Sequence, residues 1–184
     1  SGTITLGDAT TDAIQFTGGL TATAPSKVIT AGTVKTSSTA IAIGTLDLAA
    51  ATTISSVNSP GANITIATAT GAEDLTLTAG TGTLTLTGDV DVTSVEASGA
   101  TINIDGGSDA VTTTATQRYT GSVVLGENTT LTAQDGAALS SITFAGTLDS
   151  SNDGATPAVS NLRTLEITGN AVFDAAVGNT DELG

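Results

Sequence analysis

The stretch DLTLTAGTGTLTLTGDVDV, residues 74–92, contains two nearly identical segments in succession. In each segment an apolar residue alternates with threonine or aspartate, and the turn GTG at 80–82 separates the two. Alternation with a period of two is typical of a β-strand that has one apolar face and one polar face. The stretch therefore predicts two short strands joined by a glycine-rich turn.

The same alternation continues from one end of the chain to the other. It is found in TITL (3–6), AIAIGTLDL (40–48), NITI (63–66), TINID (101–105), GSVVL (121–125), TTLTA (129–133), SSITF (140–144) and TLEIT (164–168). Threonine and glycine are both poor helix formers, and no apolar stripe with a period of 3.6 residues persists. The sequence thus predicts an all-β protein.

The apolar residues also recur with a second period that is longer than a single strand. Apolar pairs recur at steps of 20, 18, 21, 19 and 23 residues, namely Ile64/Ile66, Leu84/Leu86, Ile102/Ile104, Val123/Leu125, Ile142/Phe144 and Leu165/Ile167. A second, looser series interleaves with the first: Leu75/Leu77, Val90/Val92, Val111, Leu131, Leu148 and Val172. A period near 20 is typical of one coil of a parallel β-solenoid (β-helix). Roughly nine coils, stacked about 4.8 Å apart, would form a rod on the order of 40 Å long.

The composition favours a narrow aliphatic interior. With 3 Phe, 1 Tyr, no Trp and no Met, the chain lacks most of the bulky side chains that fill globular cores. Inward rows of Ile, Leu and Val would suffice to stabilise the fold, since burial of each such side chain contributes about 1.5–3 kcal/mol to the free energy of unfolding. We therefore expect Ile64, Leu84 and Ile102 to lie above one another along a common axis.

A pair of immunoglobulin-like β-sandwiches, each of about 90 residues, is the alternative fold. Sandwiches also have strands every 8–12 residues, joined by hairpins in which Asp-Gly turns are frequent. Asp-Gly occurs at 105–106, 135–136 and 153–154. The missing aromatic residues and the 20-residue period favour the solenoid.

Charge and missing residue types exclude several classes of function. Four Lys and Arg against 18 Asp and Glu give a net charge of −14, which repels phosphate backbones and anionic bilayers. No run of about 18 apolar residues is present that could form a membrane-spanning helix. The absence of His and Cys excludes the usual nucleophilic triads and disulfides. We therefore expect no enzymatic activity, no nucleic-acid binding and no membrane insertion.

Calcium is the one cofactor for which the sequence offers candidate ligands. Hard cations bind carboxylate and carbonyl oxygens in turns. Two turns are rich in such groups, NIDGGSD (103–109) and DSSNDG (149–154), with the candidate ligands Asp105, Asp109, Asp149 and Asp153. Neither turn matches the EF-hand loop or the Gly-Gly-x-Gly-x-Asp nonapeptide of calcium-filled β-rolls, and ordinary Asx turns are the alternative.

Two further sites follow from the strand pattern. Asp89 and Asp91 alternate onto one strand face with Asp105 about one coil later, a cluster that would suit a carbohydrate-active β-helix; the alternative is a solvated acidic face. Runs of Thr-x-Thr at 76–78 and 83–87 resemble the threonine arrays of ice-binding solenoids. Corresponding positions hold Asn103, Ser122 and Glu166, so the predicted array is interrupted.

Residues 110–184 resemble the repeats of filamentous-haemagglutinin-type bacterial surface proteins. The resemblance lies in AVTTTATQRYTGSVVLGENTTLTA (110–133), SSITFAGTLDSSNDG (140–154) and LRTLEITGNAVFDAAVGNTDELG (162–184). It implies a right-handed parallel β-helix, a location at the bacterial cell surface, and roles in adhesion, biofilm matrix or surface structure. It implies no catalytic residue.

Together these observations predict a single solenoid segment over residues 1–184. The chain begins at Ser1 without Met and ends within what resembles an unfinished repeat, so we interpret it as an internal or processed piece of a longer repeat protein. Its expected role is that of a rigid extracellular spacer or filament-forming adhesin scaffold. The expected partners are other copies or adjacent repeats end to end, and host or matrix glycans. The alternatives are a carbohydrate-binding or carbohydrate-active β-helix and a calcium-binding or ice-binding solenoid.

Overall fold

A computed structural model describes residues 2–57, 60–107, 110–151, 163–178 and 183. Sixteen β-strands and no helix occur within these ranges. The strands are Thr3–Leu6 (β1), Ala13–Phe16 (β2), Leu20–Ala22 (β3), Lys27–Thr36 (β4), Ile41–Ser55 (β5), Ile64–Thr78 (β6), Thr83–Leu86 (β7), Val90–Ile104 (β8), Val111–Thr113 (β9), Gln117–Leu125 (β10), Thr129–Asp135 (β11), Ala138–Leu139 (β12), Ser141–Phe144 (β13), Leu148–Ser150 (β14), Leu165–Thr168 (β15) and Asn170–Phe173 (β16).

The strands wind into a parallel β-solenoid of about 7 turns of roughly 21 residues. Among the described strands the only antiparallel pair is the hairpin β11–β12, in which Gln134 pairs with Leu139. The predicted all-β solenoid is therefore confirmed. The alternative of immunoglobulin-like sandwiches is wrong, because those are built from antiparallel strands.

Each coil has three faces, and each face contributes one column of inward side chains. We call the position that one coil occupies in a column a rung. Face 1 stacks Ile4, Val28, Leu46, Ala69, Val90, Val111, Leu131 and Ile167. Face 2 stacks Ile14, Val34, Ile54, Leu77, Ala97, Tyr119, Phe144 and Phe173. Face 3 stacks Leu20, Ile41, Ile64, Leu84, Ile102, Val123, Leu148 and Val177.

Ile64, Leu84 and Ile102 occupy successive rungs of face 3, as the 20-residue period predicts. Each of the three has a relative exposure of 0%. Burial at about 25 cal/mol per Å² of apolar surface makes such columns the main source of stability. The aliphatic interior expected from the composition is thus present through the middle of the rod.

The expected number of coils and part of the expected register are wrong. Among the described residues the columns have eight rungs, separated by seven steps of about 4.8 Å, so this part of the rod is about 35 Å long rather than about 40 Å. Leu183 forms a parallel bridge with Arg163 of the last of these coils. Ile142 pairs with Gln117 on face 2, not with Val123, and Leu165 pairs with Thr129 on face 1. The coils lengthen in the C-terminal part, where the step from Leu131 to its partner Ile167 is 36 residues.

The second apolar series combines residues from all three faces. Val90, Val111 and Leu131 do share the column of face 1. Leu75 belongs to face 2, where it pairs with Val95, and Leu148 belongs to face 3. The looser spacing of this series therefore reflects a mixture of columns rather than one irregular column.

A line of glycines forms the corner between face 2 and face 3. Gly82, Gly99, Gly121 and Gly146 come from successive coils, and a Cβ atom on Gly121 would overlap the carbonyl oxygen of Gly99. Gly121 also has φ +139°, a conformation that L-residues with a side chain rarely adopt. The strand register shifts between Thr120 and Ser122 at this point. The chain can therefore turn sharply here while adjacent coils stay in contact.

Candidate functional site

The described residues of the two predicted calcium turns, 103–107 and 149–151, lie on the same face of the solenoid. Asn103, Val124 and Asp149 occupy successive rungs of face 3, pointing away from the interior columns, and Asp149 is only 8% exposed. Asp105 follows Asn103 by two residues. The structure thus brings Asp105 and Asp149 to one face but separates them by the rung of Val124. Asp109 and Asp153, the other two candidate ligands, lie outside the described residues.

The pKa of the Asp105 carboxyl group is raised in the folded chain. Partial burial raises its pKa above the usual aspartate range, and the nearby Glu127 raises the pKa further. A hydrogen bond from the Gly126 amide opposes both effects. Because the pKa is raised, the ionised carboxylate is less stable here than in water. A cation bound beside Asp105 would stabilise the ionised carboxylate and so lower its pKa.

A shallow open depression surrounds this carboxylate. Its lining consists of Asn103, Asp105, Val124, Gly126, Glu127 and Ser151. These residues supply several oxygen atoms, which are suitable in type for calcium. Within the described ranges, however, no three Asp or Glu residues are grouped closely enough to hold a metal ion. The calcium site therefore stays a prediction.

The carboxylates proposed for carbohydrate chemistry do not share a column. Asp91 lies on the outer side of face 1, between Thr70 and Thr112. Asp105 lies at the end of face 3, where its amide donates to the carbonyl of Leu86. Glycosidases place two carboxyl groups across one groove. Asp91 and Asp105 project from different faces and do not form such a pair.

The outer threonine row of face 3 is short. Thr65 pairs with Thr85, and the row then continues with Asn103 and Val124. The described part of this row therefore holds threonine at only two successive rungs, whereas an ice-binding surface requires a regular array over several coils.

The other positions that interrupt the predicted array lie on different faces. Ser122 pairs with Thr101 on face 3, and Glu166 pairs with Thr130 on face 1. A row on face 2 stacks Thr33, Thr53 and Thr76 and then continues with Glu96 and Arg118. Threonines from different coils thus meet, but charged side chains end this row after three rungs.

The sequence reasoning missed a polar and aromatic segment inside the solenoid. The Tyr119 hydroxyl donates to Gln117 Oε1 at 2.9 Å, and Gln117 Nε2 donates to the Thr132 carbonyl at 2.7 Å. Both side chains are almost completely buried. The sequence does contain a signal for these two inward-facing side chains. Gln117 and Tyr119 are two residues apart and are followed in the same strand by Val123 and Leu125, which are also two residues apart.

Three of the four aromatic residues form a ladder along face 2. The rings of Tyr119 and Phe144 are stacked at 5.3 Å between centroids, and those of Phe144 and Phe173 at 5.2 Å. Phe173, at the last rung, is 43% exposed. The ladder therefore runs from the sealed interior to the last described rung of face 2.

No helix in the described parts of the chain is long and apolar enough to cross a membrane. No protein-family model, curated protein or solved structure matches the chain.

Proposed function

We propose that this chain is a structural segment of a large bacterial surface protein, acting as a rigid extracellular spacer or filament-forming scaffold. The observation that carries the proposal is the set of three interior columns, which run through eight rungs. Parallel ladders along a single axis make a stiff rod, because every coil is bonded to the coils on either side.

The outer surface supports the same role. Its hydroxyl and carboxylate side chains and the net charge of −14 keep a long repeat protein soluble. The resemblance of residues 110–184 to filamentous-haemagglutinin-type repeats adds the cell surface, adhesion and biofilm matrix as the biological setting. The chain acts by its shape and stiffness, with no catalytic step.

Digestion with trypsin tests the rigidity, because the chain offers only four cleavage residues. Lys27, Lys35 and Arg118 lie within strands β4 and β10, which are paired on both sides. We expect mass spectrometry to show these three sites intact after an incubation that cleaves all of them in the heat-unfolded chain. Rapid cleavage at Lys27, Lys35 and Arg118 in the folded chain would contradict a rigid rod.

Two further measurements test the biological setting. Antibodies against the chain are expected to label the outside of intact cells that produce it, and labelling confined to the cell interior would overturn the surface role. A glycan array is expected to show weak contacts with many glycans rather than strong binding to one of them. Saturable binding of a defined glycan would instead establish the carbohydrate-binding alternative.

A further inference from the structure

An Asp-Gly pair forms the tip of the β11–β12 hairpin. Asp135 pairs with Ala138, and Gly136 turns the chain between them at φ +57°. Residues 135–139 are all exposed, and a Cβ atom added to Gly136 would meet nothing within 4 Å. Two residue pairs and a hydrogen bond from the Gln134 side-chain amide to the Gly136 carbonyl hold this tip. The Asp135–Gly136 peptide unit therefore lies in solvent, outside the stacked coils.

An aspartate side chain can react with the amide nitrogen of the next residue, because the two groups close a five-membered ring. Glycine as the next residue favours the reaction, since it has no side chain to obstruct the approach to its backbone nitrogen. Ring closure requires rotation about the Cα–C bond of the aspartate, which brings the carboxyl carbon to the nitrogen. The reaction is therefore fastest where the backbone of the Asp-Gly unit is free to rotate.

The other described Asp-Gly pair, Asp105–Gly106, is held in place by adjacent coils. The Asp105 amide donates to the Leu86 carbonyl at 2.8 Å, and its carboxylate accepts a hydrogen bond from the Gly126 amide. A Cβ atom on Gly106 would lie 2.8 Å from the Gly88 carbonyl oxygen, so this glycine packs against the preceding coil. Rotation of Asp105 towards the Gly106 nitrogen would disrupt these contacts, whereas rotation at the hairpin tip disturbs only the hairpin.

We propose that Asp135 is a site of spontaneous modification, at which the folded chain converts aspartate to isoaspartate. The Gly136 nitrogen attacks Cγ of the protonated Asp135 carboxyl group and forms a bond to it. The carboxyl hydroxyl and the amide hydrogen leave together as one water molecule, which produces a cyclic imide. No oxidant, metal or enzyme is required.

Water then opens the imide in one of two directions. Cleavage of the bond between the nitrogen and Cγ restores aspartate. Cleavage of the bond between the nitrogen and the main-chain carbonyl carbon yields isoaspartate, in which the chain continues through Cβ and Cγ and the former main-chain carbonyl becomes a free carboxylate. The charge of the residue is therefore unchanged, and its main chain is one atom longer.

The position of the hairpin confines this change to the tip. Ala133 pairs with Thr113, and Ser141 pairs with Asn170, in the parallel ladders on either side of the hairpin. The Ser140 amide donates to the Ala133 carbonyl at 2.9 Å and closes the base of the hairpin. The additional atom lies beyond this closure, so the interior columns keep their register. The folded rod is thus expected to carry isoaspartate without loss of stability.

Peptide mapping of the aged chain tests the proposal. The folded chain is incubated at physiological temperature, then unfolded and digested with a protease that cleaves before aspartate but not before isoaspartate. We expect isoaspartate to accumulate at Asp135 about tenfold faster or more than at Asp105, because local opening of the hairpin costs less than opening of a coil. In a chain kept unfolded in guanidinium chloride, the two sites are expected to isomerise at similar rates. The third pair, Asp153–Gly154, lies outside the described residues and is quantified in its own peptide.

Two substitutions at position 135 test the ring chemistry. Asp135→Glu keeps the carboxylate but requires a six-membered ring, so we expect the modification at this position to be lost. Asp135→Asn forms the same five-membered imide with ammonia as the leaving group, and it is expected to produce isoaspartate faster than the unmodified chain. Asp174→Glu, at an exposed aspartate that alanine follows, is the matched control and is expected to leave the rate at Asp135 unchanged. Circular dichroism checks that every variant folds.

Three results would overturn the proposal: equal rates at Asp135 and Asp105 in the folded chain, folding that slows both sites to the same extent, or an Asp135→Asn variant that forms isoaspartate no faster. A melting temperature that falls as isoaspartate accumulates at Asp135 would contradict the separation of the hairpin tip from the columns. The reaction depends on the hairpin alone, so none of these results bears on the proposed scaffold function.

Discussion

Tyr119 shows how a polar side chain is accommodated in an interior built from aliphatic groups. Its ring stacks on Phe144, and its hydroxyl is satisfied by Gln117, which in turn donates to backbone carbonyls of neighbouring strands. A buried polar group left without such partners would cost about 1–3 kcal/mol. The pair therefore stays in the interior because its members satisfy each other.

Ionisation of Tyr119 is expected to require unfolding. Burial raises the pKa of its phenol far above the usual value of about 10. A group whose pKa is raised by folding destabilises the folded state as the pH rises above the pKa of the unfolded chain. Stability is therefore fully present below about pH 10 and declines above it.

The chain has a single tyrosine, so ultraviolet absorbance of the phenolate reports on this residue alone. We expect the phenolate signal in an alkaline titration to appear together with the loss of β-sheet circular dichroism, and not before it. Tyr119→Phe serves as the blank for the absorbance. Phenolate absorbance that develops while the circular dichroism is unchanged would show that the ring is accessible to solvent.

Individual strands of this protein are simple in sequence, and their arrangement depends on the corners that join them. The glycine corner between face 2 and face 3 allows neighbouring backbones to come closer than any side chain permits. Strands β5, β6 and β8 each extend over 15 residues and pass continuously from face to face. The corner positions, rather than the strand interiors, are therefore the most sensitive to added atoms.

Gly121→Ala is expected to destabilise the fold by about 2–4 kcal/mol. The new methyl group would overlap the Gly99 carbonyl, and φ +139° is strained for alanine. Gly18→Ala is the matched control, because a Cβ there meets nothing within 4 Å. It is expected to change the free energy of unfolding by less than about 0.5 kcal/mol. Urea denaturation of both variants measures the difference, and equal midpoints would contradict the role of this corner.

The sequence predicts the strands and four successive rungs of face 3, but not the full register. Each coil carries several inward apolar residues, and Ile142 lies 19 residues after Val123 and 25 after Gln117. A regular period favours Val123, whereas the structure pairs Ile142 with Gln117. The correct partner is a polar residue, which hydrophobic periodicity does not detect, and the β11–β12 hairpin adds residues to the coil.

The same limit applies to the candidate calcium ligands. The sequence places Asp105 and Asp149 in turns rich in oxygen ligands, and both do lie on face 3. Their separation depends on how many residues each coil contains, which the turn composition does not specify. The sequence therefore could not show that the rung of Val124 comes between them.

At the scale of the whole molecule, the dominant feature is an uneven distribution of negative charge along a narrow rod. Most carboxylates lie beyond residue 57, on coils stacked about 4.8 Å apart. Repulsion between them opposes folding, and dissolved salt screens it over a Debye length of about 10 Å at about 0.1 M. The rod is therefore expected to be more stable at moderate ionic strength than in dilute buffer.

Thermal unfolding at increasing NaCl concentration measures this effect. We expect the melting temperature to rise by about 2–4 °C, which corresponds to about 1 kcal/mol for a chain of this size. CaCl₂ at matched ionic strength is expected to give the same rise. A larger rise with calcium that Asp105→Asn removes would instead establish a specific calcium site on face 3. No response to either salt would contradict the role assigned to charge repulsion.

The β11–β12 hairpin leaves the solenoid and returns to it without disturbing the coils on either side. Gly136, at φ +57°, turns the chain between Asp135 and Ala138, and the parallel ladder resumes at Ser141. The solenoid can thus accommodate additional residues in a hairpin that projects from one coil, while the coils themselves stay paired. A peptide inserted between Gly136 and Ala137 would be displayed outside the solenoid at a fixed position along its axis. The number of coils on either side, at about 4.8 Å each, gives that position.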